Sequence, residues 1–182
     1  TFTSTPITTV TQDIEYTYTI TTNDIDGDTV TLSATTLPSW LTLENNILSG
    51  TPTNNNVGDH NVDIKASDNN GGESTQSFTI TVINVNDSPT FTSTPITIAT
   101  QDVEYTYTIT TNDIDGDDVI LSATTLPSWL TFENNLLSGT PTNDNVGVHN
   151  VVINAIDENN AEATQSFTIT VSNVNDSPTF TS

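Results

Sequence analysis

Sulfur is missing from this sequence of 182 residues, which has no cysteine and no methionine, and Lys65 is its one lysine or arginine. The absence of cysteine excludes disulfides, thiolate metal sites and a thiol nucleophile. The sequence has 23 acidic side chains, which together with Lys65 give a formal net charge of −22. Because nucleic acid and anionic lipid surfaces are bound by clustered Lys and Arg, we expect neither to be a partner.

Long apolar segments are missing as well. No stretch approaches the roughly 18 apolar residues of a membrane span, and no basic segment followed by an apolar one opens the chain. We therefore expect no direct insertion into a membrane. Because the chain begins within a repeated pattern and ends where that pattern restarts, we expect it to belong to a longer secreted or cell-surface protein.

Two copies of one pattern fill the chain. The letters TFTSTPI stand at residues 1–7 and again at 90–96, and TFTS returns at 179–182. The offset is 90 − 1 = 89 and 179 − 90 = 89, without insertions. A period of this length suits a domain with its own core rather than a solenoid unit. The predicted domains are 1–89 and 90–178, followed by the truncated start of a third repeat at 179–182.

Strict alternation of apolar residues with threonine dominates each repeat, as at Tyr16, Tyr18 and Ile20. A period of two is typical of a half-buried antiparallel strand, and no segment has a helical period. Strands are predicted at 7–10, 15–22, 29–35, 41–43, 47–51, 60–66 and 75–82, separated by turns rich in Asn, Asp, Gly and Pro. The predicted fold is all-β, with two tandem seven-stranded Greek-key sandwiches of the cadherin or immunoglobulin type arranged end to end.

Acidic residues concentrate in three kinds of segment: NDIDGD at 23–28 and 112–117, ASD at 66–68 with AID at 155–157, and NVNDSP at 84–89. In this order they resemble cadherin repeats, whose loops and linker bind calcium between successive domains. LPSWL at 37–41 and LSGTPT at 48–53 resemble the dystroglycan-type variant found in bacterial surface proteins. The sequence departs from typical cadherins in one loop, where NNN at 54–56 replaces LDRE, which implies fewer or weaker ions.

The resemblance implies one calcium site at the junction of the repeats, since the chain contains only one complete junction. The implied ligands are Asp13, Glu15, Asn86, Asp87, Asp113, Asp115 and Asp157. Half-sites that should bind weakly or stay empty are formed by Asp24, Asp26, Asp68, Asp102, Glu104, Asn175 and Asp176. Physical chemistry favours the same ion, because apposed carboxylates without Lys or Arg take up protons or bind a cation, and calcium prefers hard oxygen ligands.

A simpler interpretation of the same segments is that Asp-Gly forms a hairpin turn and Asn-Asp-Ser-Pro a solvated linker. Trp40 and Trp129 fit a core position better than an exposed platform for a sugar ring. His60 and His149 fit a packed or surface histidine better than a general base. No set of nucleophile, base and orienting partner is present, so an enzyme is not expected.

The sequence therefore predicts an extracellular, calcium-binding spacer and adhesion module whose junction stiffens a tandem array of neighbouring repeats. Two alternatives stay open. One is a carbohydrate-binding module attached to a secreted enzyme or adhesin, with a polysaccharide as partner. The other is adhesion to another cell-surface protein, including an identical array.

Overall fold

The computed structural model describes residues 1–68, 70–175, 177–178 and 180. The chain divides into two compact units, Thr1–Val85 and Asn86–Ser182, referred to below as the first and second unit. Both units are built from β-strands, so the predicted all-β fold of two tandem sandwiches is confirmed. The two units differ in the number of short strands. In the described part of the chain, no helix has the length and apolar character needed to span a membrane.

Among its described residues, the first unit has seven strands in two sheets. They are β1 (Thr9–Thr11), β2 (Tyr16–Thr19), β3 (Thr31–Thr36), β4 (Thr42–Glu44), β5 (Ile47–Gly50), β6 (Gly58–Ser67) and β7 (Glu73–Ile83). One sheet has the order β1-β7-β6-β3, in which β1 is parallel to β7 and the other pairs are antiparallel. The second sheet has the antiparallel order β2-β5-β4. A 3₁₀ turn at Asn54–Asn56 precedes β6.

The second unit repeats this arrangement. Its strands are β8 (Thr90–Phe91), β9 (Ile98–Thr100), β10 (Tyr105–Thr108), β11 (Thr111–Asn112), β12 (Ile120–Thr125), β13 (Thr131–Glu133), β14 (Leu136–Gly139), β15 (Gly147–Ile156) and β16 (Glu162–Ser172). The sheets are β12-β15-β16-β9, β10-β14-β13 and the short pair β11-β8, and β9 is parallel to β16. A 3₁₀ turn at Asn143–Asn145 precedes β15.

Alternation along the strands places the core between the sheets. In β2, Tyr16 and Tyr18 are buried while the threonines beside them are exposed. On β6, Val62 and Ile64 are fully buried and face the same core. Asn45 joins β4 to β5 together with Asn46, and both have positive φ, as the favoured two-residue hairpin turn requires.

Trp40 lies at the edge of this core. Its ring is half-buried and meets Tyr16 edge-on at 6.0 Å and His60 at 5.8 Å. The His60 Nε2 atom is 2.6 Å from the backbone oxygen of Asn56. Trp129 and His149 repeat these contacts in the second unit, so both pairs of residues are packed, as the sequence favoured.

Candidate metal centre

The loop between β11 and β12 gathers three carboxylates of the second unit. The Asp115 backbone N–H donates to Asp113 Oδ1 at 2.9 Å, which closes a tight turn of the kind that Asp favours. Gly116 follows with a φ of +83°, a conformation that glycine adopts without a Cβ penalty. The turn places Asp113, Asp115 and Asp117 so that one oxygen from each lies within 4.8 Å of the others.

The loop between β15 and β16 holds a fourth carboxylate, Asp157, which is only 4% exposed. Its Oδ1 accepts the backbone N–H groups of Asn159 at 2.9 Å and Ala161 at 2.8 Å. Burial raises the pKa of Asp157, but hydrogen bonds from the Asn86 side chain and from the backbone of Ala161, Asn159 and Asn160 outweigh it. The net pKa is lower than usual, so the carboxyl is ionised at neutral pH.

Two side-chain amides join the two loops. Asn86 Nδ2 donates to Asp157 Oδ2 at 2.9 Å, and Asn159 Nδ2 donates to Asn86 Oδ1 at 3.0 Å. The same Asn159 Nδ2 donates to Asp117 Oδ2 at 2.8 Å. The segment before β8 also contributes its backbone, because the Asp87 N–H donates to an oxygen of Asp115 at 2.7 Å. The six residues Asn86, Asp113, Asp115, Asp117, Asp157 and Asn159 are called the acidic cluster below.

The acidic cluster contains carboxylate oxygens that no protein group satisfies. Asp113 Oδ2 and Asp115 Oδ1 are buried and have no hydrogen-bond partner. No lysine or arginine belongs to the second unit, since Lys65 lies in the first and pairs there with Glu73 at 2.6 Å. Unpaired buried carboxylate oxygens are costly, and a bound cation removes that cost.

The dimensions suit a hard divalent cation. Calcium takes about 6–8 oxygen ligands at about 2.3–2.6 Å, so two ligands of one ion lie at most about 5 Å apart. The separation of up to 4.8 Å among the three carboxylates of the β11–β12 loop falls within that limit. The donors of the acidic cluster are carboxylate and amide oxygens, without sulfur or imidazole, and this chemistry favours calcium over zinc or copper.

The predicted half-site at the equivalent position of the first unit has similar turns. Asp24 Oδ1 accepts the N–H groups of Asp26 and Asp28, and Asp68 Oδ1 accepts those of Asn70 and Gly72. Asp24 and Asp68 line one pocket of about 190 Å³. Asp26, in contrast, is exposed, and among the described residues the carboxylates of this unit do not form a group like that of Asp113, Asp115 and Asp117.

The first unit thus provides a natural comparison. Asn70 Nδ2 donates to Asp28 Oδ2 at 2.7 Å, as Asn159 does to Asp117. Asp68, like Asp157, has a lowered pKa, caused chiefly by the N–H groups of Gly72 and Asn70. At the offset of 89, Thr90 corresponds to Thr1, since 90 − 89 = 1. The equivalents of Asn86 and Asp87 would therefore precede Thr1 and are not among the 182 residues.

Asp13 and Glu15 lie in the first unit, in the exposed turn between β1 and β2. Buried Gln12 holds this turn, because its Nε2 donates to Asp13 Oδ2 at 3.3 Å while its Oε1 accepts the Val85 N–H at 3.4 Å. This brings Asp13 close to the end of its own unit. The assignment of Asp13 and Glu15 as ligands of the same ion as Asp113 stays a prediction.

The second unit has the same arrangement at its β9–β10 turn. Gln101 donates to Asp102 Oδ2 at 3.0 Å and accepts the Val174 N–H at 3.2 Å. Glu104 and Asn175 are exposed, and Asp176 lies outside the described residues. The half-site predicted from Asp102, Glu104, Asn175 and Asp176 therefore also stays a prediction.

Sequence reasoning missed two members of the acidic cluster, Asp117 and Asn159. Asp117 is the third carboxylate of the alternating segment that begins at Asp113, and this spacing could have identified it. Asn159 contacts Asp117 across 42 residues, so no local pattern identifies its role. Its position two residues after Asp157, where Asn70 follows Asp68, was the available signal.

Comparisons with known proteins find the same domain family twice along the chain. The family described as "Putative Ig domain" matches residues 1–83 and again 88–172. A "Serine-rich adhesin for platelets" from Staphylococcus aureus (strain MRSA252) is 36% identical over 155 residues. That match covers 81% of this chain but 11% of the relative, so the chain spans a small part of the protein that it resembles.

Among solved structures, extracellular cadherin domains 3–6 of protocadherin gamma B2 give a TM-score of 0.63 at 17% identity, covering 97% of this chain and 47% of that one. Domains 1–2 of human mucin-like protocadherin give a TM-score of 0.56 at 15% identity, covering 92% of this chain and 95% of that one. At these identities the similarity establishes the cadherin-like fold and nothing more.

Proposed function

The chain belongs to the "Putative Ig domain" family, and from that membership together with the acidic cluster we propose that it is a calcium-binding spacer and adhesion module of an extracellular surface protein. The similarity to an adhesin from S. aureus supports a role in adhesion. The observation that carries the calcium assignment is the pair of buried, unsatisfied oxygens on Asp113 and Asp115. The LPSWL and LSGTPT segments support assignment to the dystroglycan-type variant.

The acidic cluster would hold the ion through side-chain oxygens alone. Asp113, Asp115 and Asp117 supply the central carboxylates, and Asp157 supplies a fourth that its hydrogen bonds keep ionised. The amide oxygens of Asn86 and Asn159 complete the oxygen set. Calcium would supply positive charge in a part of the chain that has no lysine or arginine.

The ion would stiffen the segment that enters the second unit. Asn86 and Asp87 precede β8, and both already contact the loops that hold Asp157 and Asp115. A ligand that binds only the folded state adds about 2.7 kcal/mol of stability at a hundredfold excess over its dissociation constant. Extracellular calcium modules need dissociation constants of only about 10⁻⁴ to 10⁻³ M.

A calorimetric titration of the whole chain with calcium tests the proposal. We expect saturable binding that Asp113→Asn weakens by at least about tenfold, because a central carboxylate is lost. The equivalent Asp24→Asn in the first unit is the matched control and should leave that binding unchanged. Absence of binding to the unsubstituted chain would overturn the calcium assignment, and so would equal effects of the two substitutions.

Carbohydrate binding is not proposed as a second function. The sequence raised it through Trp40 and Trp129, but both rings are half-buried and packed edge-on against tyrosine and histidine. A sugar ring stacks on an accessible aromatic face, and burial together with these edge-on contacts leaves each tryptophan only partly accessible.

A further inference from the structure

The two units differ in the polarity of the residues on the outer face of the four-stranded sheet. Five positions that are polar in the first unit are aliphatic in the second. Thr9, Thr31, Asp59, Asp63 and Ser67 correspond, at the offset of 89, to Ile98, Ile120, Val148, Val152 and Ile156. The latter five residues are called the aliphatic stripe below.

Strand register places the aliphatic stripe on one face. Val148, Val152 and Ile156 alternate along β15 with residues that are buried in the core, so they point away from it. On the flanking strands, Ile98 and Val148 both pair with Thr170, and Ile120 pairs directly with Ile156. Residues directly opposite each other project from the same face of a sheet.

Three residues of the aliphatic stripe are exposed, Val152 and Ile156 are partly buried, and the fold does not require an aliphatic residue at any of the five positions. Ile98 is 69% exposed, and Ile120 and Val148 are each 68% exposed. The first unit builds the same sheet, with the same register, from aspartate, threonine and serine at these positions. Exposed apolar patches of this kind mark interaction sites rather than elements of stability.

The charges on this face limit which kind of partner can bind the aliphatic stripe. The first unit carries Asp59, Asp63 and Lys65 on this face, whereas the second carries Val148, Val152 and Asn154. A basic partner would be drawn to the carboxylates that cover the rest of a chain of net charge −22. On β15 and β16 this face keeps one carboxylate, Glu162, which lies opposite Ile156 at the end of the hairpin. Because both aspartates of the first unit are replaced by valine, the face suits a partner that is itself acidic, since fewer like charges meet there. A second copy of the chain is such a partner.

The size of the face also suits a dimer. Strands of 10 and 11 residues, β15 and β16, lie at its centre. The outer strands β12 and β9 are shorter, with 6 and 3 residues. At about 3.3 Å per residue and about 4.8 Å between strands, the four strands give a face of roughly 480 Å². Stable interfaces bury about 800 Å² per partner, so one sheet face supplies most of that area. Two twisted sheets pack face to face at about −30°.

From these observations we infer that the outer sheet face of the second unit is a self-association surface, on which two copies of the chain pack stripe against stripe about a twofold axis. The contact is self-complementary because each copy offers the same residues. Apolar contact drives it, and the repulsion between two acidic chains opposes it. High salt therefore strengthens this association. It needs no calcium and is independent of the function proposed above.

Sedimentation equilibrium of the whole chain tests this inference. In the presence of a chelator, the measured mass should move toward twice the monomer mass as protein concentration rises to about 1 mM. The shift should occur at lower protein concentration in about 1 M NaCl than in about 0.05 M NaCl, because salt screens the repulsion.

The variant that tests the contact replaces valines of the aliphatic stripe with the aspartates that the first unit has at the same positions. Val148→Asp combined with Val152→Asp should raise the dissociation constant at least about a hundredfold, because four aspartates would meet in the dimer. Val103→Asp makes the same chemical change in the turn between β9 and β10, at a valine that is 54% exposed, and should leave association intact. Circular dichroism checks that each variant is folded.

Two outcomes would overturn the inference. If the chain stays monomeric at every protein concentration and salt level, the face does not mediate self-association. A dimer that survives the double substitution in a folded variant has its contact elsewhere on the molecule.

Discussion

Asp63 on β6 accepts hydrogen bonds from the side chains of Ser77 and Thr36, which lower the pKa of its carboxyl although burial opposes them. A carboxyl whose pKa is lower in the folded chain stabilises the fold at neutral pH. That contribution is lost as the pH falls from about 4 through the lower folded pKa. We expect Asp63→Asn to reduce stability at neutral pH and to flatten the loss of stability below about pH 4, as measured by urea unfolding across pH. Equal pH dependence of both proteins would contradict this.

Gly139 ends β14 beside the backbone of Trp129. A Cβ at this position would overlap with the Trp129 carbonyl oxygen, a backbone atom that cannot rotate away. Gly139→Ala should therefore destabilise the second unit by about 3 kcal/mol, measured by chemical denaturation. Gly50→Ala produces the same overlap with Trp40 and should instead destabilise the first unit. Substitutions that leave both unfolding transitions unchanged would refute the steric argument.

A polar network fastens the segment before β9 to β16. The Tyr107 hydroxyl lies 2.8 Å from Ser93 Oγ and 3.0 Å from Gln165 Oε1, and Gln165 Nε2 donates to the Ser93 backbone oxygen at 3.1 Å. Tyr107→Phe keeps the ring but leaves these partners unsatisfied, so we expect a loss of about 1–2 kcal/mol in thermal or urea unfolding. Thr106→Val, on the exposed side of the same strand, should change stability by less than about 0.5 kcal/mol.

Strand positions were largely predictable because alternation reports which side of a strand is buried. Alternation does not report which strand lies beside which. The parallel pairing of β1 with β7, whose paired residues are 72 positions apart, could therefore not be predicted from it. The predicted strand 15–22 ends at Thr19 in the structure, where Ile20 bonds instead to Asn46 of the hairpin turn. For the same reason, the sequence predicts Asp113, Asp115 and Asp157 as ligands but not Asn159, which contacts Asn86 and Asp117 because two loops meet.

Net charge acts on the molecule as a whole. Among the described residues, Lys65–Glu73 is an ion pair at 2.6 Å, while the chain carries a net charge of −22. Folding compacts these charges and therefore increases their mutual repulsion. Because the screening length falls from about 10 Å at 0.1 M salt to about 3 Å at 1 M, we expect NaCl in a chelator to raise the thermal unfolding midpoint. A midpoint that falls with added salt would show that self-repulsion is not a major cost.

The parallel pairing of β1 with β7, and of β9 with β16, governs how each unit responds to tension. The two strands lie side by side and run in the same direction, so the start of one and the end of the other point to opposite ends of the sheet. Once the short pairing that precedes each parallel pair has opened, Phe2 with Thr22 or β8 with β11, a pull on the two ends of a unit slides these neighbours past each other along their length. Their backbone hydrogen bonds are then loaded together, in shear, rather than opened one after another, and the unit resists extension until all of them fail at once.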